Sequence, residues 1–204
     1  MNFITFKQSL SVLPGFSLSD IYKLDSSFHR SRLTEWQRHH YIQKLKNGFY
    51  VFTDFVRTDT DLYAIASRLY LHSYISTQSA LSYYGILPES VYGITCVSTL
   101  KTMTIQTPVA TFIYQHIKPS LNFGYVLRSH KGEQFKMADL EKAILDYFYF
   151  HPVANEFEFE SIRFNRTELK CRINIQKLTT YLQLYRNKAL EKRIQHFIAW
   201  VSPC

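Results

Sequence analysis

Residues 25–53, DSSFHRSRLTEWQRHHYIQKLKNGFYVFT, change hydrophobic period part-way along, and that change decides the fold. In the first half Leu33 and Trp36 stand three apart, the spacing of one helical face, while His29, Arg30, Arg32 and Gln37 project away from it. Asp25, Ser26 or Ser27 is expected to cap the start of this helix, because a short side-chain oxygen accepts an orphan backbone N–H there. From Tyr41 the period is two: Tyr41 to Lys46 run up to Asn47-Gly48, and Phe49 to Phe52 run back. Asn-Gly supplies two residues that tolerate positive φ, as a tight type I′ hairpin requires. A basic helix joined directly to a hairpin with a lysine at its tip has the pattern of the recognition helix and wing of a winged helix-turn-helix. Such a helix lies in the major groove of duplex DNA, and the wing touches the backbone or the minor groove.

The flanking sequence fits that frame. Phe3, Phe6, Leu10 and Leu13 recur at three and four, which predicts a helix over 2–12 ended by Pro14-Gly15. Ser17 with Asp20 resembles a capping box for a short helix over 18–24. Polar RTDT at 57–60 reads as a linker, giving a winged-helix domain over 1–56 and a second domain over 57–204. That second part predicts helices over 61–70 and 77–84, the latter capped by Ser76 or Thr77 and stopped by Gly85. Strands follow over 94–99, 102–107 and 111–117, rich in Thr, Val and Ile, and then a hairpin around Lys131-Gly132. Residues 138–150 return to helix, with Leu140, Ile144 and Tyr147 or Phe148 on one face. FEFES at 157–161 fits strand or helix. Two closing helices carry Leu178, Leu182, Leu190, Ile194 and Phe197 inward and a basic set outward. The fold class is α+β: an N-terminal winged helix, then a mixed domain with an antiparallel sheet flanked by helices and a helical C-terminus.

Composition narrows the function classes. With 46% hydrophobic and 16% aromatic residues the chain has ample core material. No run of about 18 apolar residues occurs, so no membrane span is expected. The N-terminal stretch lacks the features of a signal peptide. Cys96, Cys171 and Cys204 are odd in number and far apart, which argues against a disulfide framework or zinc site and fits a reducing cytoplasm. The net charge of +8 is unevenly placed: residues 1–53 and 163–204 are basic, and the middle is mildly acidic. Two basic ends suggest surfaces that face polyanions or acidic partners.

For DNA, Arg30 and Arg32 are the base readers of choice, because a guanidinium forks onto the two acceptors of guanine, and Gln37 suits adenine. Ser26, Ser27, Lys44, Lys46 and Asn47 suit phosphates, and His29 lies beside them. His39-His40 are adjacent, so they do not share a helix face, and no metal or cofactor is expected. The acidic run Asp139, Glu141 and Asp146 is the sole hint of catalysis, yet Asp139 and Glu141 are two apart and better complement a helix start. No phosphate loop, nucleophile elbow or metal-binding His-Glu motif is present, so the chain does not read as an enzyme.

Several stretches resemble the AbiEi antitoxin family of type IV toxin–antitoxin systems: LTEWQRHHYIQKLKNGFYVF at 33–52, DLYAIASRLY at 61–70, SYISTQSALSYYGILPE at 73–89, VYGITCVSTLKTMTIQTPVATFIYQHIKPSLNFGY at 91–125 and ADLEKAILDYFYFHP at 138–152. The resemblance implies an autorepressor whose winged helix binds its own promoter through Arg30, Arg32, Gln37, Lys44, Lys46 and Asn47. Inverted repeats are the expected operator, and they require two copies of the chain, as a dimer or as cooperative monomers. It also implies a C-terminal domain that counters a nucleotidyltransferase-like toxin without the need for a stable complex. For that task Arg186, Lys188, Lys192 and Arg193 on the closing helices are the expected surface. His39-His40 depart from the family, which often has a glycine before the first wing strand. The alternative is a winged-helix regulator whose second domain senses a ligand, with no toxin partner.

Overall fold

The computed structural model describes residues 1–54, 57–88, 93–152, 159 and 161–201. It is a mixed α and β chain. The N-terminal body holds α1 (Phe3–Leu10), β1 (Phe16–Ser17), α2 (Leu18–Leu24), α3 (Ser31–Arg38), β2 (Ile42–Lys46) and β3 (Phe49–Phe52). The three strands form an antiparallel sheet in the order β1-β3-β2. Their core is aromatic: Phe6, Phe16, Phe28, Trp36 and Phe52 are buried together, with the Phe6 and Trp36 rings 4.6 Å apart. The capping box at α2 is present, Ser17 Oγ accepting from Asp20 N–H and Asp20 accepting in return from Ser17 N–H at 2.7 Å.

Helix α3 begins later than its capping residues predict. Asp25 closes the end of α2 and accepts from the Ser27 N–H at 3.0 Å and the Ser27 hydroxyl at 2.6 Å. A short acidic side chain serves such a turn as readily as a helix cap. Arg30 therefore stands at the start of α3 with no side-chain cap. At the other end His40 takes a left-handed φ of 57°, and Tyr41 N–H reaches back to the Trp36 carbonyl at 2.9 Å. That closure usually employs glycine.

The ribbon turn is not the expected type I′. Of Asn47-Gly48 only Gly48 has positive φ, at 76°, and the pairing of β2 with β3 slips by one residue between Lys44 and Lys46. Leu45 is the extra residue of this bulge. Two consecutive left-handed residues occur instead at Lys131 (φ 49°) and Gly132 (φ 78°). There the buried Asp61 carboxylate accepts from the Lys131 ammonium at 2.9 Å and lies 2.9 Å from the His130 ring nitrogen.

The second body is built on a six-stranded sheet in the order β6-β7-β5-β4-β9-β8. The strands are β4 (Ser73–Ile75), β5 (Ile94–Ser98), β6 (Met103–Gln106), β7 (Thr111–His116), β8 (Tyr125–His130) and β9 (Glu133–Ala138). The sheet is mixed rather than antiparallel: β5 runs parallel to β7, and β4 parallel to β9. Each hairpin docks through its second strand. Phe112 and Tyr114 of β7 and Phe135 and Met137 of β9 are buried, whereas β6 and β8 form the exposed edges. Strand β4, unforeseen from the sequence, receives β9.

Helices α4 (Asp59–Leu69), α5 (Thr77–Tyr83), α6 (Leu140–Phe150), α7 (Arg166–Arg172), α8 (Ile175–Tyr185) and α9 (Lys188–Val201) complete this body. Only Arg57 and Thr58 of the expected linker precede α4, because Thr58 and Asp61 form its capping box. Most of FEFES at 157–161 lies outside the described residues. Helix α6 packs against α5, α8 and α9 and is buried from Leu140 to Phe148 on every side, not along one face.

Strand β3 joins the bodies. Its residues alternate between two cores: Tyr50 and Phe52 face the aromatic cluster of the N-terminal body, while Phe49 and Val51, with Leu45 of β2, belong to the larger core. All four β3 side chains are buried, as a strand covered on both faces must be. Arg68 of α4 fastens the seam. It donates to the Gly15 carbonyl at 2.8 Å, pairs with Asp20, lies 3.4 Å from Glu133 and stacks over Phe49.

Candidate nucleic-acid interface

Helix α3 buries Leu33 and Trp36 against the aromatic core, so the opposite side is set by helical geometry. Ser31, Thr34, Glu35 and Arg38, at spacings of three and four, are exposed there and line a shallow concavity. Charge and hairpin position do not single these four out in the sequence; helical geometry does, since Leu33 and Trp36 as the inward pair fix 31, 34, 35 and 38 as the outward stripe.

The expected site residues divide around that stripe. Ser26, Ser27 and His29 are exposed in the turn between α2 and α3. Arg30 is exposed at the head of α3, its Nε donating to Tyr22 Oη at 2.9 Å and its guanidinium 5.9 Å from the centre of the Tyr22 ring. Hydrogen bonding to Tyr22 raises the Arg30 pKa. Lys44 and Asn47 are exposed on the ribbon.

Three residues are employed otherwise. Arg32 folds back, its guanidinium donating to the Met1 carbonyl. Gln37 donates to the Leu33 carbonyl at 2.9 Å, one turn back on its own helix. The Lys46 ammonium donates to the Leu69 carbonyl at the end of α4, so it pins the ribbon to the second body. Sequence spacing alone does not show the Arg32 and Lys46 contacts, because their partners come from the N-terminus and from α4. The ribbon is covered on the face that carries Leu45, Phe49 and Val51, while its Asn47 tip is open.

At the far end of the chain Arg186 occupies the left-handed corner between α8 and α9, at φ 47°. Arg186, Lys188 and Lys192 are exposed. Arg193 is not part of that surface in full: its guanidinium donates to the Phe148 carbonyl at 3.0 Å and ties α9 to the end of α6.

The acidic run is engaged throughout. Asp139 caps α6, accepting from Lys142 N–H at 2.9 Å. Asp139 and Glu141 then share Lys177 of α8, at 3.0 and 2.9 Å, and Glu141 also accepts from Asn174 N–H. Burial works to lower the Lys177 pKa, but hydrogen bonds to these two carboxylates raise it well above its ordinary value. Lys142 and Asp146, one turn apart and fully buried, form an ion pair. Tyr185 Oη accepts from Lys142 and donates to Asp146, both at 2.6 Å, and Tyr74 and Ser76 donate to the second Asp146 oxygen at 2.8 Å. Burial depresses the Lys142 pKa against the opposing pull of Asp146. Every lone pair of the carboxylate that faces a neighbour is used, the condition for holding a charge in a core.

Among the described residues no group of three or more His, Cys, Asp or Glu side chains is placed to hold a metal ion, and no helix is long and apolar enough to cross a membrane. No family model and no curated protein matches the chain.

Proposed function

We propose that the N-terminal body is a winged helix-turn-helix with α3 as its recognition helix, and that the chain is an autorepressing antitoxin of the AbiEi kind. The observation that carries the DNA reading is the uncovered polar stripe Ser31, Thr34, Glu35 and Arg38, headed by Arg30. The order α1-β1-α2-α3-β2-β3 supports it, since that succession sets a solvent-facing third helix beside a ribbon. Ser26, Ser27, Lys44 and Asn47 surround the stripe with groups suited to phosphate. Arg32, Gln37 and Lys46 leave the set of base and phosphate readers, and Arg38 joins it.

The antitoxin half rests on the resemblance along residues 33–152 and on the exposed cations Arg186, Lys188 and Lys192. Its partner is a nucleotidyltransferase-like toxin specified by the neighbouring gene.

The test is fluorescence anisotropy of the full chain with duplex DNA from upstream of its own gene. Neutralising about four to six phosphates gives a log–log salt slope of about −4 to −5. Arg38→Ala weakens binding and, if Arg38 meets a phosphate, shrinks that slope by about 1. Absent or salt-independent duplex binding sinks the DNA reading. Co-expression with the neighbouring gene tests the other half: Arg30→Ala with Arg38→Ala keeps growth rescue but loses repression. Point variants are used because a cut after the ribbon would strip Leu45, Phe49 and Val51 from the larger core.

A further inference from the structure

Glu35 is out of place in a basic surface. Residues 1–53 contain three acidic side chains, and two have structural partners: Asp20 in its capping box and with Arg68, Asp25 in the Ser27 turn. Glu35 is exposed in the middle of the outward stripe. Among the described residues its carboxylate has no hydrogen-bond or ion-pair partner. The cations one turn away do not neutralise it: Arg32 is held by the Met1 carbonyl, and Arg38 forms no ion pair with it among the described residues. A free carboxylate at the centre of a helix that approaches a row of phosphates weakens non-specific attraction. Its position gives it one compensating chemistry, a hydrogen-bond donor on a base edge.

The major groove offers two such donors, the cytosine N4 amino group and the adenine N6 amino group. Adenine sets the N7 acceptor beside its amino group, and an acceptor-only carboxylate is repelled there. Cytosine presents the donor without N7 beside it. We infer that Glu35 is a specificity-determining residue of α3 that reads the amino group of a cytosine, selecting C·G at one position of each half-site and rejecting sequences that place acceptors there. The inference rests on α3 being the recognition helix, and it assigns to that helix a role in exclusion as well as attraction.

The test is selection from a randomised duplex library with the full chain as wild type, Glu35→Gln and Glu35→Ala. Circular dichroism confirms that both exposed-site variants keep the wild-type helix content. The wild type is expected to enrich cytosine at one position per half-site by about tenfold or more over the other bases. Glu35→Gln, with an amide that pairs bidentately with adenine, moves that single position towards adenine. Glu35→Ala flattens it, leaves the other positions unchanged, and binds non-specific duplex more tightly than the wild type. The same base preferences in all three proteins, with duplex binding intact, overturn the role of Glu35 and leave α3 as the reader. No duplex binding by the wild type at low salt overturns the recognition-helix reading and the Glu35 role with it.

Discussion

Helices α3 and α6 treat charge in opposite ways. In α3 Glu35 and Arg38 stand in solvent on the face turned from the core. In α6 Glu141, Lys142 and Asp146 are buried, and each has its partner from another element or from the next turn. Both stretches look similarly charged in sequence. The difference lies in what the neighbouring elements cover. A matched charge inside a core is architecture, because desolvating it is tolerable only with every hydrogen bond in place. An unmatched charge outside is available to a partner.

The strongest way to break this contrast is to halve the buried pair. Asp146→Ala leaves the Lys142 ammonium buried against Tyr185 with no counter-charge, and is expected to cost about 3–5 kcal/mol. Urea denaturation measures it. Replacing both members, Lys142→Met with Asp146→Leu, should recover part of that loss, because two apolar side chains leave no orphaned ion. A loss under about 1 kcal/mol for Asp146→Ala would mean that α6 is less enclosed than its burial indicates.

Asp61 sharpens the buried side through pH. Burial raises its pKa, but the Thr58 N–H, Lys131, the Thr58 hydroxyl and His130 outweigh it and bring the value from 3.8 down to about 2. A depressed carboxylate stabilises the folded chain above its unfolded pKa, so this contribution is full above 3.8 and is lost as pH falls towards 2. It amounts to roughly 2 kcal/mol. Asp20 and Asp54 shift in the same direction, so the measurement is the difference between wild type and Asp61→Asn in acid unfolding. Identical acid slopes for the two proteins would remove Asp61 from the account.

The smallest effect lies at the end of α3. His40 holds a left-handed φ of 57° that costs a non-glycine residue about 1 kcal/mol or more. His40→Gly relieves that strain and gives part of it back as unfolded-state entropy, for a net gain of a few tenths to about 1 kcal/mol. Thermal melting checks the sign, and a fall in stability would mean that the imidazole itself holds the junction.

Local periodicity made much of the fold legible. Leu33 with Trp36, Ser17 with Asp20, and Lys131-Gly132 were readable because each depends on residues a few positions apart. What escaped depends on distant chain. Which strand of each hairpin lies inward is decided by β4 and β5, far from both turns. The fates of Arg32, Lys46 and Arg193 are decided by carbonyls 31, 23 and 45 residues away. The candidate site was half legible for the same reason. The exposure of Arg30 and Lys44 is expected from their charge next to a hairpin, whereas Ser31, Thr34, Glu35 and Arg38 emerge only once the buried face of α3 is used to fix its opposite face.

Strand β3 has a consequence for how this architecture can change over time. Phe49 and Val51 are side chains of one body and wall material of the other, so neither half has a boundary at which it is complete. Recombination that transplanted residues 1–53 onto another chain would carry an oily flank with nothing to cover it. The two bodies are thus inherited as a pair, and a change in what α3 presents to solvent has to arise on its free stripe rather than by exchange of modules.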